Sequence, residues 1–301
     1  AEAEVEYSDH TSVTIFARFG IASCPIDVLA GASLVIWTTT PWTMPGNRAM
    51  AFGTDIAYSA LKVTSVSEGS LAILGEVICL ADDLRMDVFA ACGILEADTV
   101  YEFNGGELEG TIARHPLAHE GYNHDVLVLA ADYVTTEQGT GFVHIAPGHG
   151  PEDYDLAHLK HGVEVPDTVD EAGFIMEHLP LFGGMHVLRD NKKIADILVQ
   201  EGSLIGLGSL THSYPHSWRS HAPVIYRNAA QWFVSMEEDG LRGKALFALS
   251  HTDFYPPSGQ NRLTAMIKNR PDWCLSRQRA WGVPIPVFYH KATGEPLRDQ
   301  A

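Results

Sequence analysis

Apolar positions along the chain change period several times, and each change marks a short element. Ser33-Leu34-Val35-Ile36-Trp37-Thr38 is a continuous β-branched and aromatic run that reads as a buried strand, ended by Pro41 and Pro45. Ile56–Val63, Leu71–Leu80 and Val126–Leu129 read as further strands, and Gly139-Thr140-Gly141 leads into Phe142-Val143-His144-Ile145. The first half is therefore β-rich. Helical spacing interrupts it at Asp82–Ala91, with Leu84 and Val88 on one face, at Pro151–His161, and at Asn191–Glu201, with Ile194, Ile197 and Leu198 inward. Gly93, Gly162 and Gly202 follow these helices as stops. After about Leu204 the texture turns aromatic and Pro-rich, as in His212-Ser213-Tyr214-Pro215, so a boundary is expected there. Repeats and low-complexity tracts are absent.

Composition narrows the class. With 301 residues, 46% of them apolar, the chain can bury a full core in one large domain or two ordinary ones. No apolar run approaches the roughly 18 to 20 residues that cross a bilayer, and the acidic start Ala1-Glu2-Ala3-Glu4-Val5-Glu6-Tyr7 is the opposite of a signal peptide. A cytoplasmic protein with no membrane partner is expected. The missing initiator Met and the uncapped Leu297-Arg298-Asp299-Gln300-Ala301 point to a fragment. Cys24, Cys79, Cys92 and Cys274 are far apart and form no C-x-x-C, which predicts free thiols rather than a disulfide framework or a cysteine zinc site. A formal charge of −18 argues against a broad nucleic-acid-binding surface, so any RNA contact must be local.

Three stretches can carry chemistry. Trp37-Thr38-Thr39-Thr40-Pro41-Trp42-Thr43 places hydroxyls on both faces where a buried strand runs out, suited to holding a polar substrate without charge. Thr is also simply a good strand residue. The second stretch is Gly139-Thr140-Gly141-Phe142-Val143-His144-Ile145-Ala146-Pro147-Gly148-His149-Gly150-Pro151-Glu152-Asp153-Tyr154. Its glycines and prolines specify an unusual backbone path, and Glu152 and Asp153 fall in the first turn of a helix, where the dipole favours ionised carboxylates. A carboxylate held ionised at a cavity lip suits a ligand ammonium; the same acids also merely stabilise helix starts. His144 and His149, with Asp153 and Asp155, fit a His/carboxylate zinc site less well, and no G-x-S-x-G elbow occurs. The third stretch, Arg270 to Pro286, holds three arginines suited to phosphate but is ambiguous alone.

Together the blocks W-T-T-T-P-W-T, G-T-G-F-V-H-I-A-P-G-H-G-P-E-D-Y and W-C-L-S-R-Q-R-A-W-G-V-P-I-P resemble the isoleucyl-tRNA synthetase family, in order and along essentially the whole chain. The third Thr and the Trp after the Pro are that family's form; the valine and leucine relatives carry Arg in place of that Thr and lack the Trp. The resemblance implies an α/β fold: a β-barrel-like editing domain over 24–204, a connecting β-ribbon over 1–23, and a return segment over 205–301 leading into the nucleotide-binding catalytic domain. The H-I-G-H and K-M-S-K-S motifs are not present, so no aminoacylation is expected of this chain alone; ATP and Mg belong to the parent enzyme. Family members that bind zinc do so with two cysteines where this chain has Ser217 and Ser220, so no metal is expected, and elemental analysis returning about one zinc per chain would overturn that.

What the resemblance implies chemically is hydrolysis of valine wrongly attached to the 3′ end of isoleucine tRNA, with no cofactor. One methylene is worth only ~1 to 3 kcal/mol, and this family's own isoleucine/valine case, at ~150-fold, is the usual example of why a second site is needed. By resemblance Asp153 holds the α-ammonium, His144 walls out isoleucine, and Thr38, Thr39 and Thr40 line the pocket. Trp42, Thr43, Asn47, Gly141 and His149 are expected to contact substrate. With no evident nucleophile, a positioned water attacks the ester. The alternatives are a non-catalytic connector that receives the tRNA end, and the editing domain of a valyl or leucyl relative.

Overall fold

The strand that organises the molecule is its first, β1 (Val5–Ser23), long enough to pair with three partners in succession. The computed structural model describes residues 5–276, 282–283 and 285–298. After β1 come β2 (Ser33–Thr38), β3 (Ala49–Phe52), β4 (Ala57–Val66), β5 (Val77–Ala81), helix α1 (Arg85–Cys92), β6 (Ile94–Asn104), β7 (Ile112–Arg114), β8 (Asp125–Ala130) and β9 (Phe142–Ile145). A single α-turn α2 (Pro151–Tyr154) runs into wider π-helical turns over Asp155–Lys160, followed by α3 (Asn191–Gln200) and β10 (Leu204–Ser217). The rest comprises β11 (Phe233–Val234), α4 (Leu241–Ser250), α5 (Ser258–Lys268) and β12 (Trp273–Cys274).

The outer part of β1 pairs antiparallel with β10 from Val5↔Ser217 to Ala17↔Leu204, forming a ribbon. Ile15–Gly20 pairs with β2, and Ile21 and Ser23 pair with β7. From β7 the pairing continues through β8, β3 and β9 back to β2, closing a ring of six strands. The ring is thinnest between β2 and β9, where Trp37↔Val143 is the pairing, so the expected barrel is partial on that side. β5, β4 and β6 extend the sheet outward from β2.

The main core fills the ring with Ile15, Phe19, Leu34, Ile36, Met50, Phe52, Val126 and Phe142 among others. Each such side chain, fully buried, contributes roughly 1.5 to 3 kcal/mol. A smaller cluster of Ala49, Ala51, Leu129, Ile145, Leu156 and Ala157 packs the outer faces of β3 and β9 against the turns after Tyr154. Side chains alternate faces along a strand. β3 is therefore buried on both faces, and His144 shares the inward face with Phe142 while Val143 and Ile145 face outward.

Contacts divide the chain into two compact units, one through Asn228 and one from Ala229 on. The first extends past residue 204 because β10 pairs along β1 and the following segment folds back on β10. There Val224 N–H donates to Pro215 O at 3.0 Å, and Tyr214 Oη–H to Val224 O at 3.0 Å. The second unit pairs β11 with β12, and Arg242 ties α4 to α5 through Ile267 O at 2.7 Å. Neither helix is singled out in the sequence, and neither buries a residue. The expected strand over 71–80 is shortened to β5. Residues before it form a turn through Gly75 at φ +86°, with Ile73 N–H donating to Glu76 Oε1 at 2.6 Å. Among the described residues no helix is long and apolar enough to cross a membrane.

Candidate functional site

β2 and β9 are neighbours and parallel, so their carboxyl ends emerge at the same end of the ring. The chain leaving β2 crosses over β9 to enter β3 on its other side, and the chain leaving β9 turns beneath it into α2. This crossing brings the threonine motif and the glycine-rich motif together. Pro41–Gly46 forms a buried 3-10 turn over the end of β9, pinned to it where Arg48 N–H donates to Ile145 O at 3.0 Å.

Within this turn the hydroxyls link. Thr38 Oγ1 lies 3.1 Å from Thr40 Oγ1, and Thr40 Oγ1 lies 3.3 Å from Thr43 Oγ1. Thr43 Oγ1–H donates to Thr40 O at 2.8 Å, which leaves its oxygen to accept from His144 Nε2–H at 2.9 Å. The Asn47 amide nitrogen sits 2.9 Å from Ala49 O and 2.9 Å from His144 Nδ1, so it is the donor to both. Those partners assign His144 the Nε2–H tautomer and occupy both ring nitrogens. The ring is only 8% exposed, and burial pushes its pKa down to about 3. His144 is therefore neutral. Thr39 differs: its half-buried hydroxyl has no hydrogen-bond partner among the described residues, leaving it available to a ligand.

Asp153 Oδ2 accepts from Ala146 N–H at 2.8 Å, two residues beyond His144. The helix start does not hold this carboxylate at the low end of the carboxylate range. Burial pushes its pKa up to about 6, with Glu152 adding to the rise and the Ala146 N–H opposing it. The dipole of the helix that begins at Pro151 does not offset that desolvation. Tyr133, which the sequence does not single out, has its pKa pushed up to about 12 by burial first and then by the nearby Asp153 and Glu152.

The other expected contacts stand further back. Trp42 is buried against His149, with ring centroids 4.9 Å apart. His149 Nε2 accepts from the Thr168 hydroxyl at 2.6 Å while Nδ1–H donates to Tyr226 O at 3.1 Å, so neither ring nitrogen of His149 is free for zinc or substrate. Gly141 lies at the opposite, amino end of β9 at φ +84°, where an added Cβ would meet Ala81 Cβ at 2.5 Å. Its carbonyl accepts from Tyr58 Oη–H at 2.7 Å. Gly141→Ala is therefore expected to destabilise the fold by about 2 to 4 kcal/mol, read as a lower urea midpoint. An unchanged midpoint would overturn that steric reading of Gly141.

Three supports of the turn are not legible in the sequence, because β7, β8 and the turn's own exit deliver them. His115 Nε2–H donates to Met44 O at 2.9 Å, and His124 Nε2–H and Arg48 both donate to Asn47 O, at 2.9 and 2.6 Å. Burial drives the His115 pKa down to about 3. Cys79 and Cys92 are buried, which pushes both thiols up to about 12. Among the described residues the one cluster with metal-ligand spacing is His119, Glu120 and Glu201, on segments other than those carrying the threonines, His144 and Asp153. Arg277 and Arg279 of the arginine-rich stretch lie outside the described residues.

Residues 1–300 match the family described as tRNA synthetases class I (I, L, M and V). Isoleucine–tRNA ligase of Pelagibacter ubique is 46% identical over 299 residues, 99% of this chain and 32% of that protein. The same ligase of Gluconobacter oxydans is 46% identical over 316 residues, 100% of this chain and 33% of that protein. The chain thus spans about a third of the length of these relatives. Among solved structures, GlLeuRS-CP1 superposes with a TM-score of 0.51 at 16% identity, covering 65% of this chain and 99% of its own, a likeness of fold.

Proposed function

The chain belongs to the class I tRNA synthetases of the isoleucine, leucine, methionine and valine group, and from that premise we propose that its first unit hydrolyses valine wrongly esterified to isoleucine tRNA. The observation that carries this reading is the unbroken run of hydrogen bonds from Thr38 through Thr40 and Thr43 to a neutral His144, with Asp153 bonded to the backbone of Ala146 two residues further along. Such a site holds a small aminoacyl group and offers no side-chain nucleophile.

In this mechanism the free Oδ1 of Asp153 takes the α-ammonium, and the ammonium draws the carboxyl to its ionised form. The His144 ring limits side-chain size. The Thr38 and Thr40 hydroxyls and the unpartnered Thr39 hydroxyl hold the ester and terminal ribose, and water attacks the carbonyl. Fixing water and ester together removes most of the entropic barrier to their encounter. Hydroxyl and backbone N–H donors stabilise the oxyanion. The isoleucine form of the threonine motif favours isoleucine tRNA over the tRNAs of the valine and leucine relatives. Residues 1–23 and 205–301 connect the editing domain over 24–204 to the rest of a synthetase, which joins isoleucine to its tRNA with ATP and Mg.

The test is incubation of the chain with valyl- and isoleucyl-charged isoleucine tRNA. Release of valine well above the buffer rate, with isoleucine retained, is expected. Binding of charged tRNA without release would favour the non-catalytic connector.

A further inference from the structure

His149 has both ring nitrogens committed, and it sits where three segments meet: the Trp42–Gly46 turn, the Thr168 segment and the Tyr226 segment, of which the last two are also joined by Arg227 on Val169 O and Asn228 on Asp167. Its Nε2 accepts from Thr168, its Nδ1–H donates to Tyr226 O, and its ring stands edge-on to Trp42 at 77°. Its own backbone is fixed by His149 N–H donating to Ala146 O at 2.8 Å. Gly46 lies so near that an added Cβ would stand 3.1 Å from His149 Cδ2, 3.3 Å from Nε2 and 3.6 Å from Thr168 Oγ1. Trp42 and Gly46 belong to the same 3-10 turn as Thr43, and Thr43 holds His144.

We propose that His149 is a positioning residue for selectivity: it clamps the Trp42–Gly46 turn against Thr168 and Tyr226, and through Thr43 it fixes where the His144 wall stands. This rests on the editing reading of the site. The ammonium-binding end is anchored separately, by Ala146 N–H on Asp153, and Thr38 by the Thr40 N–H at 3.1 Å. Loosening the clamp therefore moves the wall more than it moves the ends of the substrate. The clamp also makes Tyr226, on the segment that follows β10, a determinant of pocket size although it touches no ligand.

The test compares kcat/KM on valyl- and isoleucyl-tRNA for the parent, His149→Ala, Gly46→Ala, the double variant and His149→Gln. Each single alanine variant is expected to lower the valyl/isoleucyl ratio roughly tenfold, chiefly through gain on the isoleucyl ester. Gly46→Ala does so by wedging a methyl between His149 and Thr168, which avoids removing any polar group. The double variant is expected to be no worse than His149→Ala, because alanine at 149 leaves that methyl room. His149→Gln, whose amide oxygen can take the Thr168 hydroxyl, is expected to recover part of the ratio. An unchanged ratio in both single variants, equal slowing of both esters, or additive losses in the double variant overturns the clamp. A parent that hydrolyses neither ester overturns the editing reading and the clamp together, whereas an active parent with an unmoved ratio overturns the clamp alone.

Discussion

Asp153→Ala is expected to lower hydrolysis of valyl-charged isoleucine tRNA by on the order of 10² to 10³-fold, the loss that follows from removing one partner of a buried charge pair. The same residue carries a second, opposite signature. Its folded-state pKa is raised to about 6, so the protonated form is the one the fold favours. Stability from this group is fully present below the unfolded value near 3.8 and is lost as pH rises through about 6. Asp153→Asn keeps an acceptor for Ala146 N–H without the charge. It is expected to be inactive yet more stable than the parent at pH 7, by about 1 to 3 kcal/mol, and no more stable at pH 3.5. Urea unfolding at the two pH values reads this directly. Deacylation at the parent rate by the alanine variant would remove Asp153 from the site.

The second large effect concerns His144. His144→Ala is expected to admit isoleucyl-tRNA as a substrate, shifting the valyl/isoleucyl preference by about 10 to 200-fold, the range that one methylene commands. A general-base role would instead require a free lone pair and a pKa near the working pH. Asn47 occupies the Nδ1 lone pair, the Nε2 proton goes to Thr43, and burial holds the pKa near 3. Deacylation rates on both charged tRNAs decide between the two. Equal slowing on both, with their ratio intact, would favour the base. A lowered histidine pKa also has a stability consequence: the fold loses stability as pH falls below the unfolded value of 6.5, because the unfolded chain takes up the proton first.

Much of this arrangement is legible in the amino-acid sequence, and the exceptions have physical causes. β2 and β9 declare themselves because both faces of each are covered, which writes a continuous apolar run. β6 does not: its middle is exposed on both faces, so neither alternation nor a run marks it. The strand expected over 71–80 is interrupted at Gly75, whose positive φ turns the chain before β5. The threonines, His144 and Asp153 are readable as residues, yet their juxtaposition depends on β9 lying between β2 and β3, a placement that sequence spacing does not encode. His115 and His124 each act on one backbone carbonyl across a long sequence separation, Arg48 acts on those of Pro45 and Asn47, and no local pattern announces such contacts. The ionisation of Asp153 escapes the sequence because a helix start is written in local residue types and burial is not.

The ribbon of β1 and β10 has a consequence for portability. Since Val5 pairs with Ser217 and Ala17 with Leu204, everything between leaves and rejoins a neighbouring chain at adjacent points, as a hairpin tip does. The entropy of closing so long an excursion, which grows only as the logarithm of its length, is met within the ribbon's own pairing rather than drawn from whatever lies beyond. Any fold into which this unit were set would experience some two hundred residues as little more than a two-stranded stem, and the stem can be lengthened or shortened two residues at a time without turning either face over. Such a stem sets reach independently of chemistry: adding a pair of residues to each strand would move the pocket outward by roughly 7 Å while leaving every contact inside it unchanged.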